Sequence, residues 1–468
     1  MNRSLVGVLS GIGLALAGCS LAPTYQQPQA PVPTVWPAGP AYPTPDTSAP
    51  RADEVKWQEF FTDVRLKKLI EMALANNRDL RLAALSVERA RALYGVQRAE
   101  LYPAVGAVGT GGRQQRSTDV LQPPGQPRTV GQYSADLGIA AWEIDFFGRI
   151  RSLSDQALEE YLATDEARRA AQIGLITEVA RAFLALAADR ENLQFSRATL
   201  ESQQADHALV RRRFEVGMAS ELDLKRSQVP LETARRDVAR YTQLVAQDKN
   251  ALDLLVGTSI AEDLLPADLA GVSPPQPVNG GLDSDVLLLR PDVMAAEHRL
   301  RGAYANIGAA RAALFPRISL TTTVGTASNQ LSGLFDSGTG TWAFTPQFVM
   351  PIFDARLWSA LRVSETDREI IQTQYEKTIQ TAFREVSDAL AVQGTIDEEL
   401  AAQQSLVEAL ADSYRLATRR FDKGIDGYLS VLDAQRAHFA AQQALTSLRE
   451  AKMANQVRLY AVLGGGGV

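Results

Sequence analysis

A single cysteine, Cys19, stands among 468 residues, so no disulfide can form within the chain. Histidine is almost as scarce: His207, His298 and His438 lack metal-ligand spacing and fall on different predicted helices. No Walker motif is present. The glycine run Gly464–Gly467 follows a helix instead of opening one, which removes a phosphate loop. The expectation is therefore no enzyme, no metal and no cofactor. A basic excess is also missing, with 48 Lys and Arg against 54 Asp and Glu, which argues against a nucleic-acid partner. The short runs Arg168-Arg169, Arg211-Arg212-Arg213 and Arg419-Arg420 share helices with acidic residues and read as solvated faces. Beyond the first residues, no apolar run is expected to be long enough to cross a membrane as a helix.

Proline is absent from about Asp155 to Phe214 and from about Ala355 to Phe421, and each stretch has one interior glycine, Gly174 or Gly394. Ile371, Tyr375, Ile379, Phe383, Val386 and Leu390 recur at steps of four and three, the seam of a coiled coil. About 65 helical residues reach roughly 100 Å, more than a globular domain needs. Both stretches end in a turn that occurs twice. Arg213-Phe214-Glu215-Val216-Gly217, followed by Leu222, Leu224 and Gln228, returns 207 residues later as Arg420-Phe421-Asp422-Lys423-Gly424, followed by Leu429, Val431 and Gln435. The chain is two similar halves of one elongated body. Pro230, early in a long helix, removes a backbone hydrogen bond and is expected to kink it.

Met-Asn-Arg, an apolar stretch from Leu5 to Ala17, and Leu16-Ala17-Gly18-Cys19 have the order of an export signal. The last four residues resemble the bacterial lipobox, whose cysteine is lipidated. Ser20 follows, where lipoproteins kept in the inner membrane typically have Asp, so an outer-membrane address is favoured. From Ser20 to about Arg51 the chain is rich in Pro, Ala and Gln and reads as extended chain that packs on something else or stays mobile.

A helical pattern starts near Trp57 and runs through Leu74, and a second runs from Asp79 to Leu101. Tyr102-Pro103 stops it, and alternating residues follow: weakly over Ala104–Thr110, more clearly over Tyr133–Ala141, with a polar loop from Gly111 to Gln132 between them. Leu314-Phe315-Pro316 repeats Leu101-Tyr102-Pro103. Ile318, Leu320, Thr322 and Val324 then alternate with Ser319, Thr321, Thr323 and Gly325, as Trp342, Phe344, Phe348 and Met350 do with smaller or polar residues. Without a spanning helix, an outer-membrane protein crosses as a closed barrel or hangs from its lipid. Four strands cannot close one, because the smallest barrels have eight. If the strands span, several chains share one barrel, and three copies supply twelve. The same stretches also suit a small soluble sheet capping a coiled-coil rod. Trp142 and Trp342 suit an interfacial aromatic girdle or a core equally.

Cys19-Ser20-Leu21-Ala22-Pro23-Thr24-Tyr25, Trp142-Glu143-Ile144-Asp145-Phe146-Phe147-Gly148-Arg149, Arg290-Pro291-Asp292, Gly308-Ala309-Ala310-Arg311-Ala312-Ala313-Leu314-Phe315-Pro316 and Leu432-Asp433-Ala434-Gln435-Arg436 carry a family resemblance over the whole chain. The sequence resembles the TolC-like outer-membrane factors, and is most similar among them to the OprM-type lipoproteins of drug-efflux pumps. The resemblance implies a mixed α/β membrane protein. Each protomer would give four transmembrane β-strands and long coiled-coil helices to a homotrimer, a 12-stranded β-barrel continued by a periplasmic α-helical barrel. It also implies a periplasmic adaptor and an inner-membrane proton-driven transporter of the RND class as partners.

The expected organisation is a lipoprotein signal over 1–18, an extended segment after the lipidated cysteine over 19–56, and short equatorial helices over 57–101. A first β-hairpin follows over 102–148, a long helical hairpin over 149–257 and a linker with one short helix over 258–290. The second half has a helix over 291–315, a β-hairpin over 316–354, a long helical hairpin over 355–463 and a tail over 464–468. No cofactor is expected apart from the covalent lipid on Cys19. In the family, the positions of Leu429, Asp433 and Arg436 line the periplasmic constriction. Their i, i+4 and i+7 spacing puts them on one helical face, where threefold symmetry would stack Leu429 as a plug and Asp433 as a charged ring. Read from the residues alone, Asp433 and Arg436 are also an ordinary exposed i, i+3 pair. The turns themselves, with Val216, Gly217 and Met218 in one and Lys423, Gly424 and Ile425 in the other, are the expected adaptor contacts. The implied function is an exit duct for drugs and small toxic compounds. A type I protein-secretion channel and a non-channel periplasmic coiled-coil lipoprotein are the alternatives.

Overall fold

The computed structural model describes residues 20–43, 50–52, 54–117, 119, 127–279 and 283–465. The signal segment and Cys19 lie outside the described residues. The chain divides into two compact units: residues 1–29, 86–164 and 295–375 form the first, and residues 30–85, 165–294 and 376–468 the second.

The first unit holds the sheet. Strands β1 (Val105–Gln115), β2 (Thr129–Glu143), β3 (Arg317–Ser328) and β4 (Gly340–Val349) are antiparallel neighbours in that order. The β1–β2 ladder runs from Val105↔Ile139 to Gln115↔Thr129, so residues 111–115 and 129–132 belong to strands, not to the expected loop. Ladder pairing outweighs the poor strand propensity of glycine. Between Ile139 and Trp142 the register of β2 against β3 shifts, and Ala141 takes a φ of 50°. This bulge interrupts the expected alternation through Ala141. The extra residue changes the parity of β2, so that Trp142 faces Leu320 on the same side as Leu137 and Ile139.

That side is apolar. Leu137 faces Val324, which faces Trp342. Ile139 faces Thr322, which faces Phe344, and Ile318 faces Phe348. Trp342 is 81% exposed and Phe344 61%. The opposite side carries Thr110, Ser134, Asp136, Thr321, Thr323, Thr345 and Gln347, with a 2.8 Å hydrogen bond between the Thr110 and Ser134 hydroxyls. Below β2, Glu143 accepts two 2.8 Å hydrogen bonds from Arg149, and Phe147 stacks on Phe315 at 4.9 Å. The extended residues 20–29 pack on this unit. The Tyr25 hydroxyl donates to Glu297 at 3.1 Å, its ring meets Tyr304 edge-on at 5.5 Å, and the Arg301 guanidinium lies over it.

In the second unit, the expected helix from Trp57 to Leu74 is two, α1 (Trp57–Phe60) and α2 (Val64–Asn76). Asp63 causes the break: its carboxylate accepts from the Arg65 and Leu66 backbone N–H groups and caps α2. Helix α3 (Arg78–Ala99) follows. The long helices are α4 (Arg149–Glu215), α5 (Glu221–Val256), α7 (Ala355–Asp422) and α8 (Tyr428–Val462), with α6 (Pro291–Ala312) between the halves. The linker holds two short 3₁₀ turns, Glu262–Leu264 and Ser284–Leu289, instead of one helix. Its proline and glycine content interrupts any longer hydrogen-bonded run. The seam residues Tyr375, Ile379, Val386 and Leu390 are buried.

Helix α4 departs from expectation: it contains an 18-residue window of mean hydropathy 1.4, enough by length and composition to cross a membrane. Buried Ile176, Val179, Ala180, Phe183, Leu186 and Ala187 account for that apolarity as core packing. Phe60 stacks on Tyr460 at 3.9 Å, and the Tyr460 hydroxyl donates to the Val55 carbonyl. Arg290, nine-tenths buried, donates to Asp292, to Glu385 at 3.0 Å and to the Val462 carbonyl at 2.8 Å, closing the end of α8.

Candidate functional site

The two repeated turns lie in the second unit and share one backbone solution. Gly217, at φ 78°, donates to Phe214, and Met218 donates to Arg213 at 2.7 Å. Gly424, at φ 70°, donates to Phe421, and Ile425 to Arg420 at 2.9 Å. Both are helix ends closed by a left-handed residue, which glycine adopts without the strain of a Cβ.

The side chains then diverge. Ser220 and Asp223 form a reciprocal capping box at the start of α5, while Gly427, at the same repeat position, offers α8 no side-chain cap. The second turn is held instead by Arg420, whose guanidinium takes both Asp426 oxygens at 2.5 and 3.0 Å. The partner's hydrogen bonds hold the Asp426 carboxyl below the ordinary carboxylate range. Asp426 has only Ala219 as its counterpart 207 residues earlier. That mismatch between the copies is the sequence signal for this clamp, which motif reading overlooks. The two turns meet where the Arg213 guanidinium lies 5.3 Å over the Phe421 ring, and Phe421 in turn meets Tyr428 at 5.1 Å. Behind them, burial and the nearby Asp422 push the Asp206 carboxyl up.

The expected adaptor contacts are exposed: Met218 by 79%, Val216 by 69% and Ile425 by 59%, with Gly217, Lys423 and Gly424 also open. On α8, Leu429 is exposed and Leu432 buried. Arg436 donates to Asp433 at 2.5 Å within the chain, and both side chains are more than half exposed. In water such a pair contributes less than about 1 kcal/mol. The face carrying Leu429, Asp433 and Arg436 therefore has no covering layer in one protomer. Arg226 occupies the repeat position of Asp433, so only the second half presents an acid there.

The model of the outer membrane efflux protein family matches residues 69–258 and 282–465. The chain belongs to the outer membrane efflux protein family. The antibiotic efflux pump outer membrane protein ArpC of Pseudomonas putida is 47% identical over 467 residues, covering 100% of this chain and 96% of that protein. The toluene efflux pump outer membrane protein TtgC of the same species has the same identity and coverage. The open-state MtrE outer membrane channel of Neisseria gonorrhoeae superposes with a TM-score of 0.85 at 35% identity, over 96% of this chain and 98% of that one. This outer membrane efflux protein is thus a channel of the outer membrane, with the fold of the solved channels. The non-channel coiled-coil lipoprotein is set aside by that membership.

Proposed function

We propose that three copies of this chain form the exit duct of a tripartite drug-efflux pump. The observation that carries this is the sheet: four strands with one apolar and one polar side, no covering layer on the apolar side, and unpaired outer edges on β1 and β4 among the described residues. An open edge inside a bilayer leaves backbone groups without partners, at several kcal/mol each. Joining β4 of one copy to β1 of the next removes every edge, and three copies make twelve strands with the apolar side to lipid and the polar side to water.

In this reading the four long helices of each copy continue the wall as a periplasmic tunnel. The exposed face of α8 turns into its lumen, with Leu429 as the apolar constriction, Asp433 as the acid ring and Arg436 holding Asp433. Val216, Gly217, Met218, Lys423, Gly424 and Ile425 receive a periplasmic adaptor, which links the duct to an inner-membrane RND transporter. A lipid on Cys19 adds the anchor. Relatives named for antibiotic and toluene efflux support small toxic compounds as cargo over exported proteins.

The test is complementation of a strain lacking this gene. Restored drug resistance with the wild type, lost with a variant cross-linked shut across Leu429, is expected; unchanged drug susceptibility on deletion contradicts the assignment. Site-specific cross-linking that finds the adaptor away from the two turns removes the docking assignment.

A further inference from the structure

Pro230 does not end α5, which runs on to Val256. It lines a cavity of about 300 Å³ between α5, α8 and α4. Val229, Pro230 and Ala234 supply one wall, and Leu429, Leu432 and Phe439 the other. This size is the lower end of small-molecule sites and suits one or two rings.

Two polar features of the lining invite a hydrogen-bond donor. Gln203 of α4 also lines the cavity, is 1% exposed, and has a buried Oε1 without a hydrogen-bond partner. A buried polar atom left unpaired destabilises the fold, and a bound donor recovers that loss. Pro230 has no N–H, so the Arg226 carbonyl, on another lining residue, lacks the donor that a helix normally supplies four residues on. Of the three charged lining residues, Arg436 and Asp237 are already paired, with Asp433 at 2.5 Å and Arg236 at 2.7 Å, and Arg226 is exposed to water, which solvates its charge. A neutral donor therefore suits the cavity better than an ion.

We propose that this cavity is a binding site for a neutral aromatic alcohol, whose rings fill the apolar space and whose hydroxyl donates to Gln203. The site lies within one protomer and adjoins the α8 face that carries Leu429 and Arg436, so an occupant would brace α8 against α5.

The probe is 2-naphthol, titrated by calorimetry into the full-length protein in lipid nanodiscs, with empty nanodiscs subtracted. Saturable binding at one molecule per chain is expected, with naphthalene about tenfold weaker for want of the hydroxyl. Gln203→Leu should erase that tenfold preference, and Ala234→Leu should abolish binding by filling the space. Should Ala234→Leu not fold, Val229→Trp closes the cavity from a position that is 61% exposed. Uptake equal to empty nanodiscs overturns the proposal. So does a preference for 2-naphthol that survives Gln203→Leu, or tighter binding of the 2-naphthoate anion.

Discussion

At Gly308 a methyl group would sit 2.7 Å from the Ala22 side chain and 2.8 Å from its backbone, closer than carbon atoms approach. Two of the motifs that carry the family resemblance, near Cys19 and at the end of α6, thus touch each other. Arg311 donates to the Leu21 carbonyl beside them. Gly308→Ala should cost about 1–3 kcal/mol, read as a lower melting temperature and faster proteolysis of residues 20–29; an unchanged melting curve would show that the extended chain yields freely. Asp433 makes a different prediction, because its in-chain partner contributes little in water. Asp433→Ala should leave the unfolding free energy within about 0.5 kcal/mol of wild type while raising single-channel conductance and periplasmic leak. Equal conductance would take the acid ring out of the gate. The candidacy of Asp433 was legible in sequence through its motif and the repeat. Gly308 also opens a motif of the family resemblance, but the reason a glycine is needed there was hidden, since it is a neighbour 286 positions away.

At the scale of elements, Asp189 of α4, Asp248 of α5 and Glu450 of α8 converge. Burial raises all three, and the Asp189 charge adds to it at Asp248, which stands at about 6, and at Glu450. Arg240 beside Asp189 and Arg181 beside Glu450 pull the other way. A raised carboxyl holds its proton in the folded chain and releases it on unfolding. The stability it gives is full below the ordinary carboxylate range and is lost as pH rises through about 6. Asp248→Asn should therefore gain about 1 kcal/mol at pH 7.5, after allowance for solvent screening, and flatten the melting temperature between pH 5 and 7.5. A loss of stability at pH 7.5 would refute the repulsion.

The long helices were plain in the sequence, because missing proline and a seven-residue seam are local signals. What stayed hidden was finer than periodicity: the cap at Asp63 and the Arg420–Asp426 clamp are local pairs that an apolar pattern does not register, and the bulge before Trp142 is set by the pairing of β2 with β3. Removing that clamp with Arg420→Ala should leave the first turn ordered by its own capping box and loosen only the second, seen as faster amide exchange at Gly424 and Ile425. Equal exchange in both turns would contradict the division of labour.

For the whole molecule, the central claim is that the sheet of one chain is too short to close by itself and is completed by two more copies around water. Alternation and strand number made this readable in outline, since four strands with two different faces cannot end in a bilayer. The parity change at Ala141, which keeps Trp142 on the apolar side, was not readable, because a bulge leaves no composition signature. The most direct measurement is a low-resolution image of the purified protein in lipid by electron microscopy. The account predicts a threefold particle with a water-filled centre; a lone, solid subunit would contradict it.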